Sequence, residues 1–127
     1  MGYLLDTHTL IWYIEGSPKI PAEILRLIKN GADKKYISSA SLWEIAIKMS
    51  IKKLKIGMTF DELLILVEDS GLVILHPESE YLKGIFRLEN LHKDPFDRLI
   101  IATAIAKGLT IITADKDIQK YAASCIW

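Results

Sequence analysis

The chain has 127 residues, half of them hydrophobic, with 16 basic and 16 acidic side chains and a formal net charge of zero. This is enough for a single domain, residues 1–127, with its own core, and the balanced charge argues against a general polyanion binder while leaving room for a local basic patch. The single cysteine, Cys125, excludes an internal disulfide and a Cys-based zinc site and fits the reducing cytoplasm, and no apolar run approaches the ~20 residues of a membrane helix.

The opening Met1-Gly2-Tyr3-Leu4-Leu5-Asp6 lacks a basic n-region and meets an acid at once, so it reads as a first strand rather than a signal peptide. A helix is expected from about Thr7 to Glu15, stopped by Gly16-Ser17-Pro18. Pro21 opens a second amphipathic helix with Ile24, Leu25, Leu27 and Ile28, closed by Asn30-Gly31. Tyr36 to Ser38 reads as a strand, followed by a helix from Ser39 or Ser41 to about Lys53. Thr59-Phe60-Asp61-Glu62 is a capping box for the next helix, with Leu63, Leu64 and Val67 turned inward and Gly71 after it.

Leu72 to Leu75 is an apolar strand, and Ser79 to Leu88 a helix. Asp94-Pro95 opens a helix that closes at Lys107-Gly108. A strand from Leu109 to Thr113, a short helix from Lys116 to Tyr121 and an edge strand at Cys125 to Trp127 complete the chain. Short strands alternating with helices imply a parallel sheet covered on both faces.

Four acids stand at junctions of these elements. Asp6 follows the first strand, Glu44 sits inside Leu42-Trp43-Glu44-Ile45-Ala46-Ile47, Asp97 precedes Leu99-Ile100-Ile101-Ala102, and Asp115 follows the late strand. In an open α/β sheet such positions meet at the C-terminal ends of the strands, where ligands bind. Buried charges need partners, and a group of carboxylates without Cys and with few His suits Mg²⁺ or Mn²⁺.

Each acid also admits a capping reading. Asp6, Asp94 and Asp115 can cap the helices that follow them. Ser41-Leu42-Trp43-Glu44 fits a capping box, and Glu44 can instead pair with Lys48 four residues on. Capping accounts least well for Glu44, whose neighbours are Trp43 and Ile45. His8, His76 and His92 lack paired zinc-ligand spacing and read as surface or capping residues. No G-x-S-x-G elbow surrounds Ser38, Ser39 or Ser41, and there is no Gly-rich phosphate loop. Lys48, Lys52, Lys53 and Lys55 form a basic cluster after Glu44, readable as a solvated helix end or as a rail for a phosphate backbone.

Four segments carry a family resemblance. They are Leu4-Leu5-Asp6-Thr7-His8, the run from Ser38 to Lys48 with its Ser-Leu-Trp-Glu core, the run His92-Lys93-Asp94-Pro95-Phe96-Asp97-Arg98 to Ala102, and Ile112-Thr113-Ala114-Asp115-Lys116-Asp117. Together they resemble the PIN-domain family, in the branch of VapBC-type toxin ribonucleases, from residue 3 to about residue 121. The two long motifs are specific, whereas the first alone is weak.

The resemblance implies a three-layer α/β/α sandwich with a five-stranded parallel sheet, and an Mg²⁺- or Mn²⁺-dependent endoribonuclease. It implies Asp6, Glu44 and Asp97 as the acidic core that binds metal and catalyses, with Asp115 as the fourth acid and Asp117 able to share that role. Asp94 reads as helix cap and i+4 partner of Arg98. Lys48, Lys52, Lys53 and Arg98 are the expected RNA contacts. Thr7 and Thr113 would support the site from behind. A small antitoxin covering the site, and a homodimer, are the expected protein partners. Two other readings stay open: a PIN nuclease that is not a toxin, and a receiver-type Mg²⁺-binding signalling module.

Overall fold

The computed structural model describes residues 2–91, 93–121 and 123–127; His92 lies outside the described residues. Five strands, β1 (Gly2–Leu5), β2 (Lys34–Ser38), β3 (Val73–Leu75), β4 (Thr110–Ile112) and β5 (Cys125–Ile126), form one sheet in the order β3-β2-β1-β4-β5. Every pairing is parallel, with Leu5 opposite both Ile37 and Ile112. The chain builds outward from β1 to β2 and β3, then crosses to the other side for β4 and β5. The strand order therefore reverses between β1 and β4, the position where open parallel sheets form a ligand crevice.

The helices are α1 (Thr7–Glu15), α2 (Ala22–Lys29), α3 (Ser39–Ser50), α4 (Phe60–Asp69), α5 (Ser79–Arg87), α6 (Pro95–Lys107) and α7 (Lys116–Gln119). Successive strand residues point to opposite faces, and each face has its own core. Leu5, Ile37 and Ile112 pack with Leu10 of α1, Ile24 of α2, Ile45 of α3 and Leu63 of α4. Leu4 and Ile111 pack with Ile100 and Ile101 of α6 and Ile118 of α7. A smaller cluster of Ala40, Tyr81 and Leu99 ties α3, α5 and α6 together. The result is the expected α/β/α sandwich around a five-stranded parallel sheet.

Helix ends follow local chemistry. Thr59 and Glu62 form the expected reciprocal capping box. Gly108 takes the left-handed conformation that closes α6. α3 starts at Ser39, one of the two expected starts, but its cap and its end depart from the sequence reading. Ser38 is the N-cap of α3 and accepts from the Ala40 N–H, so Glu44 lies too far along the helix to complete a capping box. The same helix ends at Ser50 rather than near Lys53. The Lys53 N–H returns to the Lys48 carbonyl at 2.9 Å and the Lys52 N–H to the Met49 carbonyl at 3.1 Å. This is a Schellman closure, with Lys52 at φ 60° where glycine is usual. Lys52 and Lys53 thus lie beyond the helix that carries Glu44.

A side chain at that φ costs free energy that glycine avoids. Lys52→Gly is expected to raise stability by about 0.5–1 kcal/mol, read as a higher midpoint in urea, because relief of the left-handed strain exceeds the entropy glycine gains when unfolded. A lower midpoint would show that the Lys52 side chain holds the turn.

Candidate metal centre

The loop after β1, the start of α3, the start of α6 and the loop after β4 all open at the C-terminal end of the sheet. Asp6 is the N-cap of α1 and is buried. Its Oδ1 accepts from the Thr9 N–H at 2.9 Å and its Oδ2 from the Thr113 hydroxyl at 2.5 Å. Thr113 Oγ1 also accepts from the Asp115 N–H at 3.0 Å, which joins the loops after β1 and β4. Burial pushes the Asp6 carboxyl above its ordinary value of 3.8, against the opposing pull of the Thr113 and Thr9 hydrogen bonds.

Glu44 lies in the second turn of α3 and is buried at 3 % exposure. Its Oε2 pairs with Lys48 Nζ at 2.6 Å. Its Oε1 is buried and has no hydrogen-bond partner. A buried carboxylate oxygen left without a donor is costly. Lys48 is held charged above its ordinary pKa, first by its hydrogen bond to Glu44 and further by the fields of Glu44, Asp94 and Asp97.

Asp94 caps α6, its Oδ1 accepting from the N–H groups of Phe96 at 2.9 Å and Asp97 at 3.2 Å. One oxygen each of Glu44, Asp94 and Asp97 lie within 4.8 Å of one another, the grouping among the described residues that could hold one cation. Three carboxylates this close repel unless positive charge sits among them, and Lys48 supplies only one charge. The donor set is all oxygen, as a hard divalent ion requires.

The structure groups the acids differently from the expected set of Asp6, Glu44, Asp97 and Asp115. Glu44 and Asp97 come together, and Asp94, read from sequence as a cap, joins them while still capping. The cue was available in Asp94-Pro95-Phe96-Asp97: a cap at the N-terminus of α6 and a residue three further on share one turn. Asp6 is not one of the three. It lines an adjoining hollow of about 240 Å³ with Asp115, His8, Trp12 and Ala114. Asp115 caps α7, accepting from the Asp117 N–H at 2.8 Å, and the Asp117 carboxylate pairs with Lys120 at 3.0 Å.

Lys48 and Lys53 line a second hollow of about 250 Å³ with Glu44, Thr7, His8 and Trp12. The Arg98 guanidinium donates to the carbonyls of Ile85 and Glu89, both at 3.2 Å, and so ties the end of α5 to α6. The Thr7 hydroxyl donates to Ser41 Oγ at 3.0 Å, holding α1 against α3 behind Glu44. Ser41, read from sequence as a possible helix cap, lies inside α3 and serves this contact instead.

A parallel α/β sandwich with an all-oxygen acidic group beside its C-terminal sheet edge suits a hard divalent cation. The sequence profile of the PIN domain matches residues 3–124, and the chain belongs to this nuclease family. The fold is similar to that in VapBC2 from Rickettsia felis bound to a DNA fragment from their promoter, with a TM-score of 0.75 and 22 % identity over 99 % of this chain and 98 % of that one. It is similar too to VapBC-1 from nontypeable Haemophilus influenzae (TM-score 0.70, 19 % identity, 99 % and 97 % covered) and to DNA-bound VapBC from Salmonella typhimurium (0.70, 21 %, 100 % and 97 %). No curated protein sequence matches the chain. Family membership sets aside the receiver-type reading.

Asparagine caps helices as well as aspartate but carries no charge. Asp94→Asn is expected to keep the thermal stability of the metal-free protein and to weaken Mn²⁺ binding in calorimetry by at least about tenfold, at the lower end of the loss seen for groups supporting a metal. Unchanged Mn²⁺ affinity would leave Asp94 as a cap alone.

Asp6 has a definite pH dependence. A carboxyl whose folded pKa is raised favours the folded state when protonated, and that stabilisation is lost as pH rises through the folded value. At pH 7 without metal, Asp6→Asn is therefore expected to melt above the wild type, and the gain should vanish as pH falls below about 3.8, the ordinary carboxyl value. Differential scanning calorimetry across this range measures it. A variant less stable at pH 7 would show that the charged hydrogen bonds to Thr9 and Thr113 outweigh burial.

Proposed function

We propose that this protein is a divalent-metal-dependent endoribonuclease, the toxin of a VapBC-type toxin–antitoxin pair. The observation that carries the metal chemistry is the buried, unpartnered Oε1 of Glu44 beside Asp94 and Asp97, within a PIN domain. Glu44, Asp97 and Asp94 would hold the first ion. Asp6 with Asp115, or Asp117 in its place, would hold or orient what lies on the other side of the scissile phosphate. When bound, Mg²⁺ or Mn²⁺ supplies hydroxide near neutral pH and charge for the leaving oxygen.

The chain's own groups set the geometry. Thr113 and the Thr9 N–H fix the Asp6 carboxylate, and the Thr7–Ser41 hydrogen bond sets α1 against the helix that carries Glu44. With a cation on Glu44, Lys48 would be free to pair with a substrate phosphate instead of with that carboxylate. Lys53, from the same hollow, and Lys52, from the adjoining turn, extend that contact along the backbone. Arg98 contributes positive potential near the start of α6, with its fork already engaged by carbonyls.

A protein partner is supported by apolar surface beside the acids. Trp43 and Ile47 are exposed one turn apart on α3, and Ile51 continues the line at its end. Trp43 is 64 % exposed, its ring edge-on to Phe96, and does not complete the core as a buried aromatic would. Such a stripe suits an antitoxin helix, which could also offer a cation to the carboxylates. The VapBC complexes similar in fold favour this reading over a PIN nuclease without an antitoxin. Leu82 and Phe86, exposed one turn apart on α5, are the proposed homodimer surface.

Incubation of the purified chain with total RNA and Mg²⁺ is expected to give discrete cleavage that EDTA abolishes. Glu44→Gln and Asp97→Asn should each reduce it by more than ~100-fold, beyond the loss typical of outer-shell groups, with melting curves still cooperative. Cleavage that persists in EDTA or in both variants would overturn the metal-dependent reading.

A further inference from the structure

The hollow that holds Asp6 and Asp115 and the hollow that holds Glu44, Lys48 and Lys53 share two lining residues, His8 and Trp12. Both lie on α1, one turn apart. The His8 ring is exposed and rests on Trp12, with centroids 5.9 Å apart and planes tilted by 44°. Trp12 is in turn held from behind: Trp127 lies 5.6 Å away, and Lys19 Nζ stands 5.4 Å from the ring centroid. The core does not require an exposed histidine here, nor Lys48 and Lys53 lining the same hollow. An aromatic pair flanked by lysines and placed between two acidic recesses has the make-up of a base-stacking platform beside a phosphate track.

We propose that His8 and Trp12 form a nucleobase-stacking subsite that receives an unpaired base next to the scissile phosphate. The inference rests on the ribonuclease reading above and deepens it, since it fixes which part of the substrate enters the site. A base in a duplex has both faces covered, so the platform selects single-stranded segments. A flanking phosphate then falls toward Lys48 and Lys53. Stacking tolerates any base, so the platform sets strandedness and register rather than sequence.

The test is fluorescence anisotropy of a labelled single-stranded RNA decamer and of its duplex, in Mg²⁺, with Asp97→Asn as the non-cutting background. Cleavage of the same decamer is followed in the otherwise wild-type chain. His8→Ala and Trp12→Leu are expected to weaken single-strand binding by about 5- to 150-fold, the range for loss of one stacked base. Trp12→Phe should recover most of it. The salt dependence should stay unchanged, because no phosphate contact is removed. In cleavage, the loss should fall mainly on KM.

Wild-type affinity and KM in His8→Ala, or equal binding of duplex and single strand, would overturn the platform and leave the ribonuclease reading standing. Single-strand binding that depends on His8 and Trp12 without any metal-dependent cleavage would support the platform and overturn the ribonuclease. His8 is exposed and its replacement leaves the core untouched, so the result does not depend on how well Trp12→Leu folds.

Discussion

Glu44 is the point on which the rest of the site depends. A carboxylate almost sealed from solvent, with one oxygen on Lys48 and the other without a donor, stands within reach of two further carboxylates. Such a group is tolerated only because the fold holds it there, and the stabilisation comes from elsewhere: two hydrophobic clusters on the faces of a parallel sheet and three helix caps that double as site residues. Lys48 relieves part of the repulsion. The remainder is a standing demand for positive charge, which a divalent cation meets better than a lysine.

Caps and ligands are not alternatives here. A carboxylate has two oxygens with about four acceptor positions. Asp94 uses one oxygen for the N–H groups of Phe96 and Asp97, and Asp115 uses one for Asp117. Placing an acid at a helix N-terminus fixes its rotamer and sets it in the favourable field of the helix dipole. It also aims the group at the sheet edge where the other helices begin. The parallel topology, with its reversal of order between β1 and β4, is what brings these N-termini together.

Much of this was legible in the sequence. Strands with continuous apolar runs, Pro at the start and Gly at the end of α6, and the capping box at Thr59 located the elements within a few residues. The number and parallel sense of the strands followed from pattern and family resemblance, whereas their order in space was not read from the sequence. What escaped was of two kinds. The end of α3 was read too late because lysines favour a helix, whereas Lys52 adopts the left-handed turn that glycine usually supplies. Asp94 was read as a cap and as the i+4 partner of Arg98 because local spacing reports what a residue does for its own helix and not what lies across from it. Trp43 shows the same limit: an aromatic in an apolar run reads as core, yet it lies on the outer face of α3.

The central claim is that Glu44, Asp94 and Asp97 hold a divalent cation. Crystals grown with Mn²⁺ and measured for anomalous scattering test it most directly. The account predicts a peak at coordination distance from an oxygen of each of the three, with Lys48 drawn away from Glu44. A fully ordered site with no peak there, and Lys48 still on Glu44 at saturating Mn²⁺, would contradict it.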